Sequence, residues 1–302
     1  MSNIKKIIKA ILPYGLVNSV RQTVDAEGKH KEILEVLSRD YSSIISDYKN
    51  RPNVSEKPES PYPVWVCWWQ GEAGMPEVVK ICYSQLLKNA NGHKINLITK
   101  DNYKNHVSIP DYILEKVDSG IISITHFSDI LRVALLSKYG GLWIDSTIYT
   151  LCGLPDFNAG LFSIRRLQEG DYVSECRWTA FLIYAEKSCM LLEFMQDIFF
   201  EYWKTRNSMI DYFLVDYCIM LAYQNVPEIH KMINNIPFSN PYLYWLSYNM
   251  NLKYKEQLFS DLENSTQFCK LTNKKEYKEK TKDGLLTNYG HIKNMLQLNK
   301  NC

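Results

Sequence analysis

The feature that most limits what this chain can fold into is an alternation between residues 64 and 147. Runs of β-branched and aromatic residues at 64–69, 95–99, 121–124 and 142–145 read as strands. Between them, apolar residues recur at helical spacing. Residues 77–89 set Val78, Ile81, Cys82 and Leu86 on one side, 112–117 form a shorter helix, and 128–139 form a helix closed by Gly140 and Gly141. Strand–helix order of this kind predicts an α/β fold, a mostly parallel sheet covered by helices. Such sheets take their ligands outside the carboxyl ends of the strands.

The flanks add helices. Ile33, Leu34, Leu37, Tyr41, Ile44, Ile45 and Tyr48 share one side of a helix over residues 30–48. Pro52, Pro58, Pro61 and Pro63 then mark residues 51–63 as a linker, which divides the chain into an N-terminal helical region (1–50) and a main domain (64–302). Two more helices are expected at 189–203 and 212–223, and the chain from Phe268 onward is polar and lysine-rich. At the other end, Ile4, Ile7, Ile8, Ile11 and Leu12 form a helical stripe beside Lys5, Lys6 and Lys9, and Pro13 ends it. Residues 1–31 carry six Lys/Arg against two Asp/Glu. A basic amphipathic helix over residues 3–12 either lies in an anionic membrane interface, toward which the charge asymmetry tilts, or packs on its own domain.

Composition excludes several classes. A net charge of +2 over 302 residues argues against a nucleic-acid binder. The eight cysteines include no CxxC pair and no histidine at zinc-site spacing, so they read as free thiols of a reducing cytoplasm. No apolar run approaches the length of a membrane span.

Three places can carry chemistry. Asp129 and Arg132 lie three residues apart on one face of a helix whose neighbours are apolar. They form either an internal ion pair or a clamp in which a carboxylate accepts from ligand hydroxyls and a guanidinium donates to them. Asp145 ends a strand, where a carboxylate either caps a turn or holds a divalent cation bridging two phosphates. Trp65, Trp68 and Trp69 crowd another strand end, where one indole can stack on a nucleobase while another belongs to the core.

The stretches VWVCWWQG (64–71), MPEVVKICYSQL (75–86), ISITHFSDILRVALLSKYGG (122–141) and LWIDSTIY (142–149) together resemble the capsular polysaccharide synthesis proteins of glycosyltransferase family 32. RWTAF (177–181), YWKTRNSMIDYFLVDY (202–217) and CKLTNK (269–274) extend the resemblance. It implies a GT-A fold and a cytoplasmic transferase, peripheral at the inner membrane. Its donor would be a UDP-sugar, used with retention, and its acceptor a lipid-linked glycan. The Ser128–Asp129–Arg132 motif would bind donor-sugar hydroxyls, and Cys67, Trp68 and Gln70 the nucleoside. Asp145 matches the first acid of the DXD motif, and Thr147 stands where the second acid would be. Lys274 would meet the diphosphate, and Asp145, Thr147 and His291 would serve Mn²⁺ or Mg²⁺. Asp211 and Asp216 join Asp145 as catalytic candidates, with acceptor orientation as their role. A toxin-like protein glucosyltransferase and a noncatalytic sugar-binding scaffold are the alternatives.

Overall fold

The computed structural model describes residues 28–167 and 172–298. The basic stretch at residues 3–12 lies outside the described residues. Among these, seven strands form two sheets: β1 (Val64–Cys67), β2 (Ile95–Ile98), β3 (Gly141–Ile144), β4 (Ile148–Thr150), β5 (Leu161–Ser163), β6 (Leu182–Ala185) and β7 (Phe268–Lys270). The helices that matter for the site are α1 (28–40), α2 (Ser42–Lys49), α3 (Glu77–Lys88), α4 (Asp111–Asp118), α5 (Ile124–Tyr139), α6 (Met190–Thr205) and α7 (Leu214–Asn225). Beyond them lie α8 (Pro227–Asn234), α9 (Trp245–Asn249), α10 (Glu256–Ser265) and α11 (Asn288–Leu298).

The central sheet runs in the order β2–β1–β3–β6–β5. β1 pairs in parallel with both β2 and β3, whereas β6 is antiparallel to β3 and to β5. Four of the five strands therefore share a direction and β6 alone runs against them, so the mixed α/β fold is a mostly parallel sheet as expected. Both faces of the sheet are covered. Trp65 and Trp143 belong to a core shared with α5, α6 and α7, and Val64, Val66, Leu142 and Ile144 belong to the core on the opposite face. Burial on both sides explains why these strands read as nearly continuous apolar runs. β4 and β7 form a separate antiparallel pair with Ile148 opposite Lys270.

Two expectations shift. Residues 121–124 are not a strand: Gly120 turns the chain at φ +77°, and Ser123 caps α5 by accepting from the His126 amide at 3.2 Å. A serine cap defeats a four-residue apolar run because the free amides at a helix start need an acceptor. The proline-rich residues 51–63 do not separate two cores either. Ile33, Leu37, Tyr41, Ile45 and Tyr48, ahead of them, pack in the same core as Phe194, Phe199, Tyr202 and Tyr217.

Candidate functional site

The position of the site follows from one tight reversal. α5 ends at Tyr139, Gly140 and Gly141 turn the chain, and β3 runs back beside the helix. The two glycines adopt φ +66° and +94°. A Cβ on Gly141 would lie 2.1 Å from the Pro63 carbonyl oxygen, so only glycine lets β3 approach β1 here. Arg132 lies seven residues before the helix end, about 10 Å along the axis. Asp145 lies four residues after Gly141, about 13 Å along the strand. The two rises nearly match, so the residues meet at the carboxyl end of the sheet.

Their meeting builds a continuous polar row. Arg132 is 4% exposed; its guanidinium pairs with Asp129 Oδ1 at 2.9 Å and with Asp145 Oδ1 at 3.1 Å, and it lies over the Trp143 ring at 4.9 Å. Trp143 Nε1 donates to the same Asp145 oxygen at 3.0 Å. Lys270 Nζ donates to Asp145 Oδ2 at 2.9 Å, with the Phe181 ring 4.7 Å from its ammonium. At the other end, His126 Nδ1 stands 3.4 Å from Asp129 Oδ2, and Trp203 Nε1 donates to His126 Nε2 at 3.0 Å. Because the indole can only donate, Nε2 accepts and Nδ1 carries the proton toward Asp129. The row Trp203–His126–Asp129–Arg132–Asp145–Lys270 thus alternates donors and acceptors throughout. One atom in it is left over: the buried Arg132 Nε has no hydrogen-bond partner.

Charge in this row tunes its neighbours. Burial acts to raise the Asp145 pKa, but Lys270 and then Arg132 outweigh it and hold the carboxyl below its ordinary value. Burial, reinforced by the Asp145 charge, pushes the Cys67 thiol up to about 12. Cys67 is therefore a neutral thiol near neutral pH, unsuited to act as a nucleophile. Asp216, at the start of α7, accepts from Trp178 Nε1 at 2.9 Å. Burial and, next among the raising influences, the nearby Asp129 charge push its carboxyl up to about 6, against the Trp178 hydrogen bond and Arg132.

Of the residues expected from sequence, Asp129, Arg132 and Asp145 are joined directly, and Cys67 and Asp216 lie within their electrostatic reach. Trp68 extends β1, its amide bonding Ile98 O at 3.0 Å and its indole Gly74 O at 3.1 Å, while Gln70 is exposed. Trp65 is core, with its indole on Gly140 O at 3.0 Å. Ser128 turns to the Thr125 carbonyl at 2.6 Å, and Thr147 sits in the turn between Asp145 and Ile148. Three residues go elsewhere. Lys274 is exposed in the loop after β7, and the lysine that reaches Asp145 is Lys270. His291 stacks on Tyr254 at 3.9 Å and meets the edge of Phe259. Asp211 pairs with Lys29 of α1 and accepts the Phe213 amide at 2.9 Å. The sequence does not single out His126, Trp143, Trp178 and Lys270 as partners, although all four fall in stretches that carry the family resemblance.

A divalent cation is not matched by these side chains. Both Asp145 oxygens already accept from cations, Thr147 replaces the second acid, and His291 is held by aromatic rings. Among the described residues no three His, Cys, Asp or Glu side chains are grouped to hold a metal.

The carboxyl end of the sheet thus carries alternate carboxylates and cations, groups that accept from and donate to oxygen-rich partners. The profile of the capsular polysaccharide synthesis protein family matches residues 15–292, and the chain belongs to that family. No curated protein matches the chain. It is similar to the solved structure titled PaToxG Glycosyltransferase, with 16% identity and a TM-score of 0.41 over 70% of this chain and 83% of that one. It is also similar to the structure of a glycosyltransferase involved in the glycosylation of the major capsid of PBCV-1. There the identity is 11% and the TM-score 0.31, over 78% of this chain and 98% of that one.

Proposed function

We propose that this protein is a glycosyltransferase of capsular polysaccharide synthesis that moves a sugar from a UDP-sugar, with retention, onto a lipid-linked glycan. The observation that carries this reading is the Asp129–Arg132–Asp145 row at the carboxyl ends of β1 and β3, in a chain of that family. A polysaccharide grows by glycosidic bond formation, and an activated donor offers hydroxyls and a diphosphate. Asp129 accepts from donor-sugar hydroxyls, and the Arg132 guanidinium paired with it sets its orientation. The half-buried Trp68 provides an indole for the nucleobase. Asp216, poised near pH 6, orients the acceptor hydroxyl. Among the described residues no helix is long and apolar enough to cross a membrane, and residues 3–12 are assigned to peripheral contact with an anionic inner leaflet.

The test is a panel of UDP-, GDP- and dTDP-sugars incubated with the protein, with released nucleotide measured by chromatography. One UDP-sugar should be turned over, and Asp145→Asn should reduce that release at least a hundredfold while leaving the fold intact. A protein that neither binds nor turns over any nucleotide sugar contradicts the reading.

A further inference from the structure

Asp145, which matches the first acid of a metal-binding motif, holds two protein cations instead. Lys270 is placed there by backbone on both sides. Its amide donates to Leu243 O at 2.7 Å, the Leu271 amide donates to Thr147 O at 2.9 Å, and the β4–β7 register sets it opposite Ile148. Its side chain crosses to Asp145 Oδ2 at 2.9 Å and keeps 21% of its surface open. An ammonium has three N–H donors. One is engaged by Asp145, and two remain for a ligand at the end of the sheet.

We propose that Lys270, docked on Asp145, takes the place of a divalent cation and neutralises the diphosphate of the nucleotide sugar, so that donor binding needs no metal. This rests on the nucleotide-sugar reading above. In transfer, the bond between the anomeric carbon and the β-phosphate oxygen breaks and that oxygen keeps the electron pair. The Lys270 ammonium donates a hydrogen bond to the diphosphate as its charge grows. The acceptor hydroxyl supplies the electron pair for the new bond, and its proton leaves with the departing diphosphate. A preformed donor of this kind acts without reorganising at the moment of reaction. Asp145 has a positioning role toward Lys270: it fixes the ammonium, and the Arg132 and Trp143 bonds to its other oxygen keep it oriented.

The test compares UDP binding in EDTA and in Mn²⁺ by thermal shift and titration calorimetry, and follows aqueous Mn²⁺ by electron paramagnetic resonance. Wild-type protein should bind UDP with the same affinity, within twofold, in both media. Mn²⁺ mixed with the protein alone should keep its full free-ion signal. Lys270→Met should weaken UDP binding in EDTA at least tenfold, and Lys270→Arg should restore most of it. UDP binding by the wild type only when Mn²⁺ is present overturns the inference and leaves the nucleotide-sugar reading standing. Absence of binding by UDP, GDP and dTDP in either medium overturns both. Should Lys270→Met fail to fold, the wild-type comparison between EDTA and Mn²⁺ still decides.

Discussion

Replacing Asp216 by Asn should make the protein more stable, and more so at higher pH. The folded carboxyl is raised from 3.8 to about 6 by burial and the neighbouring Asp129. Its ionisation is therefore harder in the folded chain than in the unfolded one. The sign follows: the penalty is absent well below pH 4, grows as pH rises through the window between the two values, and is complete above it. Each pH unit of difference is worth about 1.4 kcal/mol, so the full penalty is about 3 kcal/mol at neutral pH and about 1 kcal/mol at pH 4.5. Asn removes the ionisation and keeps an oxygen to accept from Trp178 Nε1. Urea unfolding of both proteins at pH 4.5 and pH 7 should show the stability gap widening by about 2 kcal/mol toward pH 7. The same variant should lose transfer activity, since a costly buried carboxyl is retained where function uses it. A gap that stays constant with pH refutes the electrostatic reasoning.

Arg132→Met should destabilise by about 3 kcal/mol, because Asp129 and Asp145 lose their shared cation while Asp145 keeps Lys270; denaturant unfolding measures it, and a neutral result contradicts the row. Gly141→Ala should cost at least about 3 kcal/mol from φ +94° together with the clash on Pro63 O, read as a lowered melting temperature. Deleting residues 1–12 should leave nucleotide release intact and reduce pelleting with anionic vesicles, since each of Lys5, Lys6 and Lys9 contributes about 1 kcal/mol at such a surface. Undiminished pelleting of the truncated chain removes the membrane assignment.

What could be read from the sequence was what is local. The helix over α5, its closure at Gly140, and the strand ending at Asp145 are set by periodicity and turn residues within a few positions. Asp129 and Arg132 share a helix face by spacing alone, and Asp145 follows them across one reversal. The rest depends on pairings between distant segments. The opposed direction of β6 is fixed by its ladder with β3, and nothing in its own four residues states a direction. Lys270 lies 125 residues from Asp145 and looks, in sequence, like one more lysine of a solvated tail. Its contact with Asp145 comes from β7 lying on β4, whereas Lys274 falls in the loop beyond. Asp216 likewise resembles an ordinary acid at a helix start until Trp178 and the Asp129 charge are brought against it.

On this reading a nucleotide sugar binds where β1 and β3 end. The most direct test is a crystal structure of the protein soaked with UDP or with the UDP-sugar selected by the turnover panel. Density is expected for the diphosphate within hydrogen-bond reach of Lys270 and for the sugar beside Asp129 and Arg132. Nucleotide density elsewhere on the molecule, with the Asp129–Arg132–Asp145–Lys270 row untouched, would contradict it.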